Sequence, residues 1–177
     1  MKISRLVVCL AMGSLVLSAG DLKKQGELDL FGGGVHLSQS FLNVGTKGVV
    51  GGSIGYGITS KAQIFGEYSL VPIGSVAGVD LSMKAQLFTG GVKMNVFSKD
   101  RVDIYGLGGF GGARSSAKSF PSETDSALHL GGGARIYVGK RWGVTPEIRY
   151  IRIFSDGPDV NAVSYTGGIF FRFGGSN

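Results

Sequence analysis

The sequence has very little cysteine, with one cysteine in 177 residues. That residue, Cys9, lies in an apolar segment near the amino terminus, and a chain cut after this segment has none. A disulfide framework and a thiolate metal site are therefore excluded for the rest of the chain. A lipoprotein signal is excluded as well, since no cysteine stands where such a signal would be cut.

Long hydrophobic runs are also missing. The longest one, residues 6–17, is shorter than the roughly 20 apolar residues that a transmembrane helix needs. Two cationic residues precede it and three small residues follow it, which is the layout of a cleavable secretory signal peptide. We therefore predict a signal peptide over residues 1–20 and one domain over residues 21–177. No helical periodicity of useful length follows the signal.

Charge of one sign is not concentrated anywhere. Without Lys2 and Arg5 of the predicted signal, 16 basic residues face 12 acidic ones, and the net charge falls from +6 to +4. The basic residues are scattered along alternating segments rather than clustered on one helix, which argues against nucleic-acid binding. A mildly cationic surface could help contact anionic lipid headgroups, although ordinary scatter explains it equally well.

Glycine, in contrast, is abundant, with 32 of 177 residues, and it lies inside segments where apolar and polar residues alternate. The clearest segment is SALHLGGGARIYVGKRWGVTPEIRYIRIF, residues 126–154, in which two alternating runs flank a tight polar turn. Because strand side chains alternate between faces, this segment predicts a hairpin. Arg135, Glu147 and Arg149 lie mid-strand opposite the apolar face. Such charges are typical of a transmembrane β-barrel wall, although a soluble sandwich can show the same alternation.

The same alternation predicts eight strands along the chain. Tight turns are expected near Ser60, Lys99 and Lys140, with longer connections between them. We therefore predict an all-β fold, an eight-stranded antiparallel up-and-down transmembrane β-barrel, closed because hydrocarbon offers no hydrogen bonds to a sheet edge. The predicted strands cover residues 25–37, 48–58, 62–71, 81–96, 102–114, 126–138, 144–154 and 163–173, and the longer connections cover residues 38–47, 72–80, 115–125 and 155–162.

Charged residues are predicted inside this barrel, whose interior eight strands leave nearly filled by side chains. An unpaired charge there would cost several kcal/mol, so we expect Glu67 and Glu147 to be bridged by arginines 135, 149 and 172. We favour a polar plug that sets the strand register; the alternative is a switchable gate for a small water path. The predicted lumen ion-pair network comprises Glu67, Lys93, Asp103, Arg135, Glu147, Arg149 and Arg172, and the predicted aromatic girdles comprise Tyr56, Tyr68, Trp142, Tyr150, Tyr165 and Phe173.

Few residues are candidates for other chemistry. His36 and Ser38 place a base two residues from a hydroxyl, but no carboxylate is positioned to orient the ring. His129 lies mid-strand on the polar face, where we expect a hydrogen-bonded lumen histidine rather than a metal ligand. The G-x-G-x-x-G pattern at residues 106–111 lacks the following helix that phosphate binding needs. We therefore predict no catalytic residue, no metal and no cofactor.

Two segments resemble a known family. The ending VSYTGGIFFRFGGSN, residues 163–177, looks like the last strand of a bacterial outer-membrane barrel, with aromatic residues at alternating positions. The segment LGGGARIYVGKRWGVTPEIRYIRIF, residues 130–154, resembles the hairpin of strands six and seven in the small outer-membrane β-barrel family related to the OmpA transmembrane domain. Full-length OmpA carries a further domain after strand eight that this sequence lacks, so a peptidoglycan-binding role is not expected.

The resemblance implies a location in the bacterial outer membrane. It also implies contact with outer-membrane lipid and lipopolysaccharide, insertion by the barrel-assembly machinery, and a monomer without a nucleic-acid partner. The function expected from it is non-enzymatic: a barrel that stabilises the envelope or presents its longer connections outside the cell. The alternatives are a low-conductance gated pore, a lipid A-modifying enzyme, and a soluble periplasmic or lipocalin-like barrel with an apolar interior and a polar exterior.

Overall fold

The computed structural model describes residues 22–39, 42–76, 79–117, 120–155 and 159–174, which form eight antiparallel strands joined by short connections. The predicted signal peptide, residues 1–20, lies outside the described residues. The strands are β1 (Gln25–Gln39), β2 (Leu42–Gly57), β3 (Ala62–Val76), β4 (Val79–Lys99), β5 (Val102–Ala117), β6 (Phe120–Tyr137), β7 (Trp142–Phe154) and β8 (Val160–Gly174).

The sheet closes on itself. Each strand pairs antiparallel with the next strand along the chain, and β1 also pairs with β8 over its whole length, from Gln25 opposite Gly174 to Gln39 opposite Val160. The prediction of a closed, up-and-down, eight-stranded barrel is confirmed. Closure leaves no unpaired edge, which is the condition for a sheet to exist in hydrocarbon. No helix in the described ranges is long and apolar enough to cross a membrane.

The two ends of the barrel differ. Short turns at residues 58–61, 100–101 and 138–141 lie at the same end as the first residue of β1 and the last residue of β8. We call this end the turn end and the opposite end the open end. The turn between β4 and β5 has only two residues, and Asp100 adopts a φ of 49° there, a left-handed conformation that aspartate tolerates better than most residues.

The wall is apolar on the outside and charged on the inside over the half nearest the turn end. This follows from the alternation of strand side chains, and the burial of β7 alternates accordingly from Trp142 to Tyr150. Ile64, Val92, Ile148 and Ile169 are 39–59% exposed on the outer wall, whereas Glu67, Lys93, Glu147 and Arg172 are 3–9% exposed on the inner one.

The strands extend further toward the open end than the sequence predicted. Most residues of the expected connections 38–47, 72–80 and 115–125 belong to paired strands, so that part of the prediction was wrong. Outward-facing positions there carry polar side chains such as His36 and Thr46, so the two-residue hydrophobic pattern stops. The ladder of backbone hydrogen bonds does not depend on that pattern and continues.

Glycines fill inward-facing positions where neighbouring strands leave no room for a side chain. A β-carbon placed on Gly111 would lie 1.9 Å from the backbone oxygen of Phe88, which is far inside van der Waals contact. The next residue, Gly112, faces outward, and a β-carbon there would meet nothing closer than Thr124 Cγ2 at 3.5 Å. The glycine-rich pattern at residues 106–111 therefore belongs to barrel packing in β5.

We expect Gly111→Ala to lower the free energy of unfolding by about 1–3 kcal/mol, the usual cost of overpacking, because only backbone movement could make room. The matched substitution Gly112→Ala should be neutral or raise it by about 0.5 kcal/mol, since alanine orders at lower entropic cost than glycine. Urea unfolding in lipid vesicles would measure both values. Equal effects of the two substitutions would contradict the assignment of Gly111 to the crowded inner wall.

Candidate functional site in the barrel lumen

Arg135 is the centre of the polar layer nearest the turn end. Its Nη2 lies 2.6 Å and its Nε 3.0 Å from Glu27 Oε1, and it also donates to Gln63 Oε1 at 2.7 Å and Asn95 Oδ1 at 3.0 Å. The guanidinium carbon stands 4.4 Å from the ring centroid of Tyr105. A buried cation with this many partners is held in one position, because each partner replaces a hydrogen bond that water would have made.

Arg172 extends this layer to β5 and β8. Its Nε donates to Glu27 Oε2 at 2.9 Å and its Nη2 to Asp103 Oδ2 at 3.3 Å. The hydroxyl of Tyr137 donates to the same oxygen of Asp103 at 2.7 Å. Glu27 is therefore held between two arginines, one on each of its oxygens, and links strands that are far apart in sequence.

Lys93 forms the next pair across the lumen. Its Nζ lies 2.8 Å from Asp29 Oδ2, which also accepts a hydrogen bond from Ser53 Oγ at 2.9 Å. The ammonium group stands 5.3 Å from the ring centroid of Phe65 and 5.7 Å from that of Tyr105, within the range of cation–π attraction. This pair connects β1, β2 and β4 at mid-height.

Arg149 bridges two carboxylates at the upper boundary of the charged region. Its Nε donates to Glu147 and its Nη1 to Glu67, and all three side chains are buried. The Tyr105 hydroxyl donates to the other oxygen of Glu147 at 2.6 Å. The guanidinium carbon also lies 5.5 Å from the ring centroid of Phe31. The layer therefore joins β3, β5 and β7.

The structure places every predicted network residue on the lumen side, but with different partners from those expected. Arg149 bridges Glu67 and Glu147, whereas Arg135 pairs with Glu27, and Arg172 pairs with Glu27 and Asp103. The prediction that Arg135 and Arg172 also bridge Glu67 and Glu147 was wrong. Glu27 and Asp29 were missing from the predicted network. They alternate with Leu28 and Leu30 along β1, and this alternation could have placed them on the polar, inward face.

The charges of these layers nearly cancel. The ion pairs join five carboxylates to four cations. The carboxylates are those of Glu27, Asp29, Glu67, Asp103 and Glu147, and the cations are Lys93, Arg135, Arg149 and Arg172.

Little space remains between these side chains. A cavity beside Asp29, Lys93 and Glu147 has a volume of about 10 Å³. That volume is about what a single water molecule needs. Between the Arg135 layer and the Arg149 layer the lumen is thus filled by paired side chains.

The lumen changes character above the Glu67–Arg149 layer. Val35, Val49 and Ala162 form a buried apolar cluster, and further aliphatic side chains pack against it. The lumen was predicted to be filled by a plug of polar side chains, and this apolar half corrects that prediction. Ile151 follows Glu147 and Arg149 on the same face of β7. This change from charged to apolar residues on the inward face was the signal in the sequence that could have predicted the apolar half. We call this region the apolar cup and define it by Val35, Leu37, Val49, Val71, Ile151 and Ala162.

The cup is not filled by its own side chains. A cavity of about 340 Å³ lies between its walls. Glu67 and Arg149 line it from the charged layer, and Asp125 lines it as well. The residues of the cup come from β1, β2, β3, β7 and β8, so the cavity lies inside the barrel rather than on its outer wall.

The histidines do not form a site within the described part of the chain. His129 is buried against the Phe65 ring at a centroid distance of 5.9 Å, and neither ring nitrogen has a hydrogen-bond partner among the described residues. His129 thus lies in the lumen as predicted, and the expected hydrogen bond is not made by any of the described residues. His36 Nδ1 lies 3.3 Å from Thr46 Oγ1 on the neighbouring strand. No group of three potential metal ligands occurs within the described ranges.

The aromatic residues expected in girdles are at least one-third exposed on the outer wall and lie at two heights. Tyr56, Trp142 and Phe173 lie within two residues of a strand terminus at the turn end. Tyr68, Tyr150 and Tyr165 lie seven to ten residues along their strands from that end. With a rise of about 3.3 Å per residue and a tilt of about 40°, the two sets are separated by roughly 15–25 Å.

Comparison with known proteins gives one family. The family described as outer membrane protein beta-barrel domain matches residues 6–173. Among curated proteins, no sequence matches this chain at a significant level.

Solved structures share the fold at low sequence identity. Neisserial surface protein A superposes with a TM-score of 0.72 at 15% identity, covering 84% of this chain and 97% of that one. Ail, the attachment invasion locus protein of Yersinia pestis, gives a TM-score of 0.57 at 17% identity and coverages of 85% and 99%. The amino-terminal barrel domain of OprF from Pseudomonas aeruginosa gives 0.56 at 15% identity and coverages of 85% and 98%.

Proposed function

Because the chain belongs to the outer membrane protein beta-barrel domain family, we propose that it is a non-enzymatic outer-membrane protein whose lumen is closed by its ion-pair layers. In this role the barrel is a structural component of the outer membrane that stabilises the envelope, and it does not conduct ions. The single observation that carries the proposal is the set of buried ion pairs across the lumen.

The network supports a plug because it ties together all the strands. Its contacts join residues that are far apart in the sequence. Glu27 and Arg135 are separated by 108 residues, and Glu27 and Arg172 by 145. Each strand contributes at least one partner: Glu27 from β1, Ser53 from β2, Glu67 from β3, Lys93 from β4, Asp103 from β5, Arg135 from β6, Arg149 from β7 and Arg172 from β8.

A gated pore is the weaker candidate on energetic grounds. Separating one buried pair costs about 3–5 kcal/mol when a lone charge remains. Each 1.4 kcal/mol is about a factor of ten in population, so an opening that breaks a single pair would be occupied less than about one part in a hundred. A water path would require several pairs to separate together.

The exterior supports residence in a bilayer. Apolar side chains cover the outer wall between the two sets of aromatic residues, whose separation is close to the apolar band of about 25 Å in such barrels. We assign these two sets as the interfacial girdles. Outer-membrane lipid and lipopolysaccharide are the proposed partners of this wall, the barrel-assembly machinery is the proposed partner during insertion, and the proposed oligomeric state is a monomer.

Presentation of long loops outside the cell has less support than stabilisation of the envelope. At the open end, paired strands replace most of the expected long connections, so the part that projects is the wall itself. Polar outward residues such as His36 and Thr46 lie there, above the apolar band.

Planar-bilayer recording tests the closed lumen. We expect no stepwise conductance from the folded wild-type barrel. The double variant Glu27→Ala/Arg135→Ala removes both members of the lowest pair and should give small steps, which shows that the assay detects an opened lumen. The control Arg152→Ala/Asp159→Ala removes an ion pair on the outer surface and should remain silent. Wild-type steps as large as those of the Glu27/Arg135 variant would overturn the proposal.

A further inference from the structure

The turn end of the barrel carries a concentration of positive charge. The segment before β1 and each of the three turns supply at least one lysine or arginine. We call these residues the cationic ring, which comprises Lys24, Lys61, Lys99, Arg101, Lys140 and Arg141. Five of them are exposed and Lys61 is half-buried. They are spread over residues 24–141 of the sequence, and the closed barrel brings them to one end.

This end also holds the excess charge of the protein. Within the described turns and the described segment before β1, the only carboxylate is that of Asp100. In contrast, the segments 40–47, 72–84, 114–125 and 152–162, toward the open end, contain five basic and five acidic residues in the sequence. No member of the cationic ring forms an ion pair with any other described residue. The positive charge of the ring is therefore available to an external anion.

The cationic ring lies at the height of membrane headgroups. Trp142, which belongs to the aromatic girdle at the turn end, directly follows Arg141. Aromatic girdles lie at the boundary between hydrocarbon and headgroups, and long cationic side chains next to them extend toward the polar side. Because short turns of such barrels lie on the periplasmic side, the ring faces the leaflet on that side.

Two neighbouring turns of the ring enclose a cleft. It has a volume of about 660 Å³ and lies between the turn that joins β4 to β5 and the turn that joins β6 to β7. Its charged lining consists of Lys99, Asp100, Arg101, Asp103, Lys140 and Arg172. Asp103 is already paired with Arg172, which leaves three cations and one carboxylate. The volume lies within the range of about 300–1,000 Å³ for ligand sites, so a phosphate-bearing headgroup fits it.

We propose that the cationic ring binds the phosphate groups of anionic phospholipids in the leaflet on the turn side, with one headgroup in the cleft beside Lys99, Arg101 and Lys140. Lysine and arginine donate charge-assisted hydrogen bonds to phosphate oxygens. A leaflet surrounds the whole barrel, and cations on every turn match it better than they match a soluble ligand with a single site. This inference rests on the proposed residence in the outer membrane and adds a lipid class and a binding surface to it.

Trp142 is a built-in reporter of this contact, because it is the only tryptophan of the chain and is 45% exposed on the outer wall beside Arg141. The folded barrel is placed in phosphatidylcholine vesicles with a small fraction of phosphatidylglycerol or phosphatidylcholine that carries a nitroxide near the headgroup end of an acyl chain. A nitroxide quenches indole fluorescence on close approach.

At low salt we expect the labelled phosphatidylglycerol to be enriched at Trp142 by at least about fivefold over the labelled phosphatidylcholine. This is the preference that one lysine or arginine near an anionic lipid surface provides. In about 1 M salt the preference should disappear, because the Debye length falls to about 3 Å.

A pair of matched variants sharpens the test. Lys140→Gln/Arg141→Gln removes two cations beside the reporter and should abolish most of the preference for phosphatidylglycerol. Lys47→Gln/Lys84→Gln makes the same change in net charge toward the open end and should keep the wild-type preference. Heat-modifiable gel migration verifies that each variant is folded.

The comparison of the two labelled lipids on the wild-type protein alone can overturn the proposal. Equal quenching by both would overturn it in favour of a soluble anionic partner. Quenching by neither would contradict the position of Trp142 in the bilayer and the proposal with it. An equal loss of preference in the two variants would also overturn the proposal, because net charge and not the ring would then attract the lipid.

The outcome is separate from that of the conductance experiment. A barrel without lipid preference can still have a closed lumen, so a failure of lipid binding leaves the closed-lumen proposal intact. Stepwise conductance of the wild-type barrel would in turn leave the quenching result standing.

Discussion

Replacing Arg149 with methionine should lower the free energy of unfolding by about 3–5 kcal/mol, the largest single-residue effect that we expect in the lumen. Arg149 is the only cation that the described structure pairs with Glu67 and Glu147. Its loss leaves two buried carboxylates facing each other without a counter-charge. Urea unfolding in lipid vesicles, followed by heat-modifiable gel migration, would measure the change.

The control for this prediction is Arg152→Met on the same strand. Arg152 pairs with Asp159 at the surface, where the arginine side chain is 47% exposed, so its loss should leave the unfolding free energy unchanged within error. Adding Glu67→Gln and Glu147→Gln to Arg149→Met should restore most of the lost stability, because no lone buried charge then remains. A triple variant as unstable as the single one would show that packing, and not charge, explains the loss.

Arginine in place of Leu30 should lower the unfolding free energy in a bilayer by about 2–4 kcal/mol, the cost of a cation near the middle of the lipid-facing wall. Leu30 is 63% exposed on the outer wall and is the sixth residue of β1, opposite Ile169 of β8. A cation there faces hydrocarbon and has no counter-charge. The same vesicle-based unfolding experiment would measure the effect.

The companion variant for this second prediction is Ile58→Arg. Ile58 is comparably exposed but lies in the turn after β2, where the added cation can contact water and headgroups. We expect its cost to be about 0–1 kcal/mol, the value for a cation near the interface. If Leu30→Arg cost no more than Ile58→Arg, the outer wall would not face hydrocarbon at that height.

The polar half of the barrel could be predicted from alternation alone. In β7, Val144 and Ile148 alternate with Thr145, Glu147 and Arg149, and this pattern indicates which face is apolar. A side chain's face depends only on its parity in the strand, which is a local property of an extended chain. The number of strands and the short turns at one end followed from the same local signal.

The pairing of charges could not be predicted in this way. Arg135 and Glu27 meet across the lumen although 108 residues separate them, and several carboxylates share the same parity as Glu27. Which one an arginine reaches depends on the closure between β1 and β8 and on the height at which each strand enters the barrel. Neither quantity is encoded in the spacing of residues within one strand.

The apolar cup was missed for a related reason. Val35 and Leu37 share a face with Glu27 and Asp29. In the sequence, however, the alternation weakens at these residues, and this indicates the end of a strand rather than a continuation of the inner wall. Beyond the apolar band both faces lose the pattern that marks a strand, because the outer face there is polar. Only the continuous pairing of β1 with β2 and β8 places these residues in the lumen.

The class of fold, the direction in which each side chain faces and the apolar character of the outer wall could all be predicted from the amino-acid sequence, because all three depend on the two-residue period of an extended chain. The extent of the strands, the partner of each buried charge and the existence of the apolar cup became clear only in the folded barrel. These depend on closure and register, which bring together side chains from strands that are distant in sequence and set how much space remains between them.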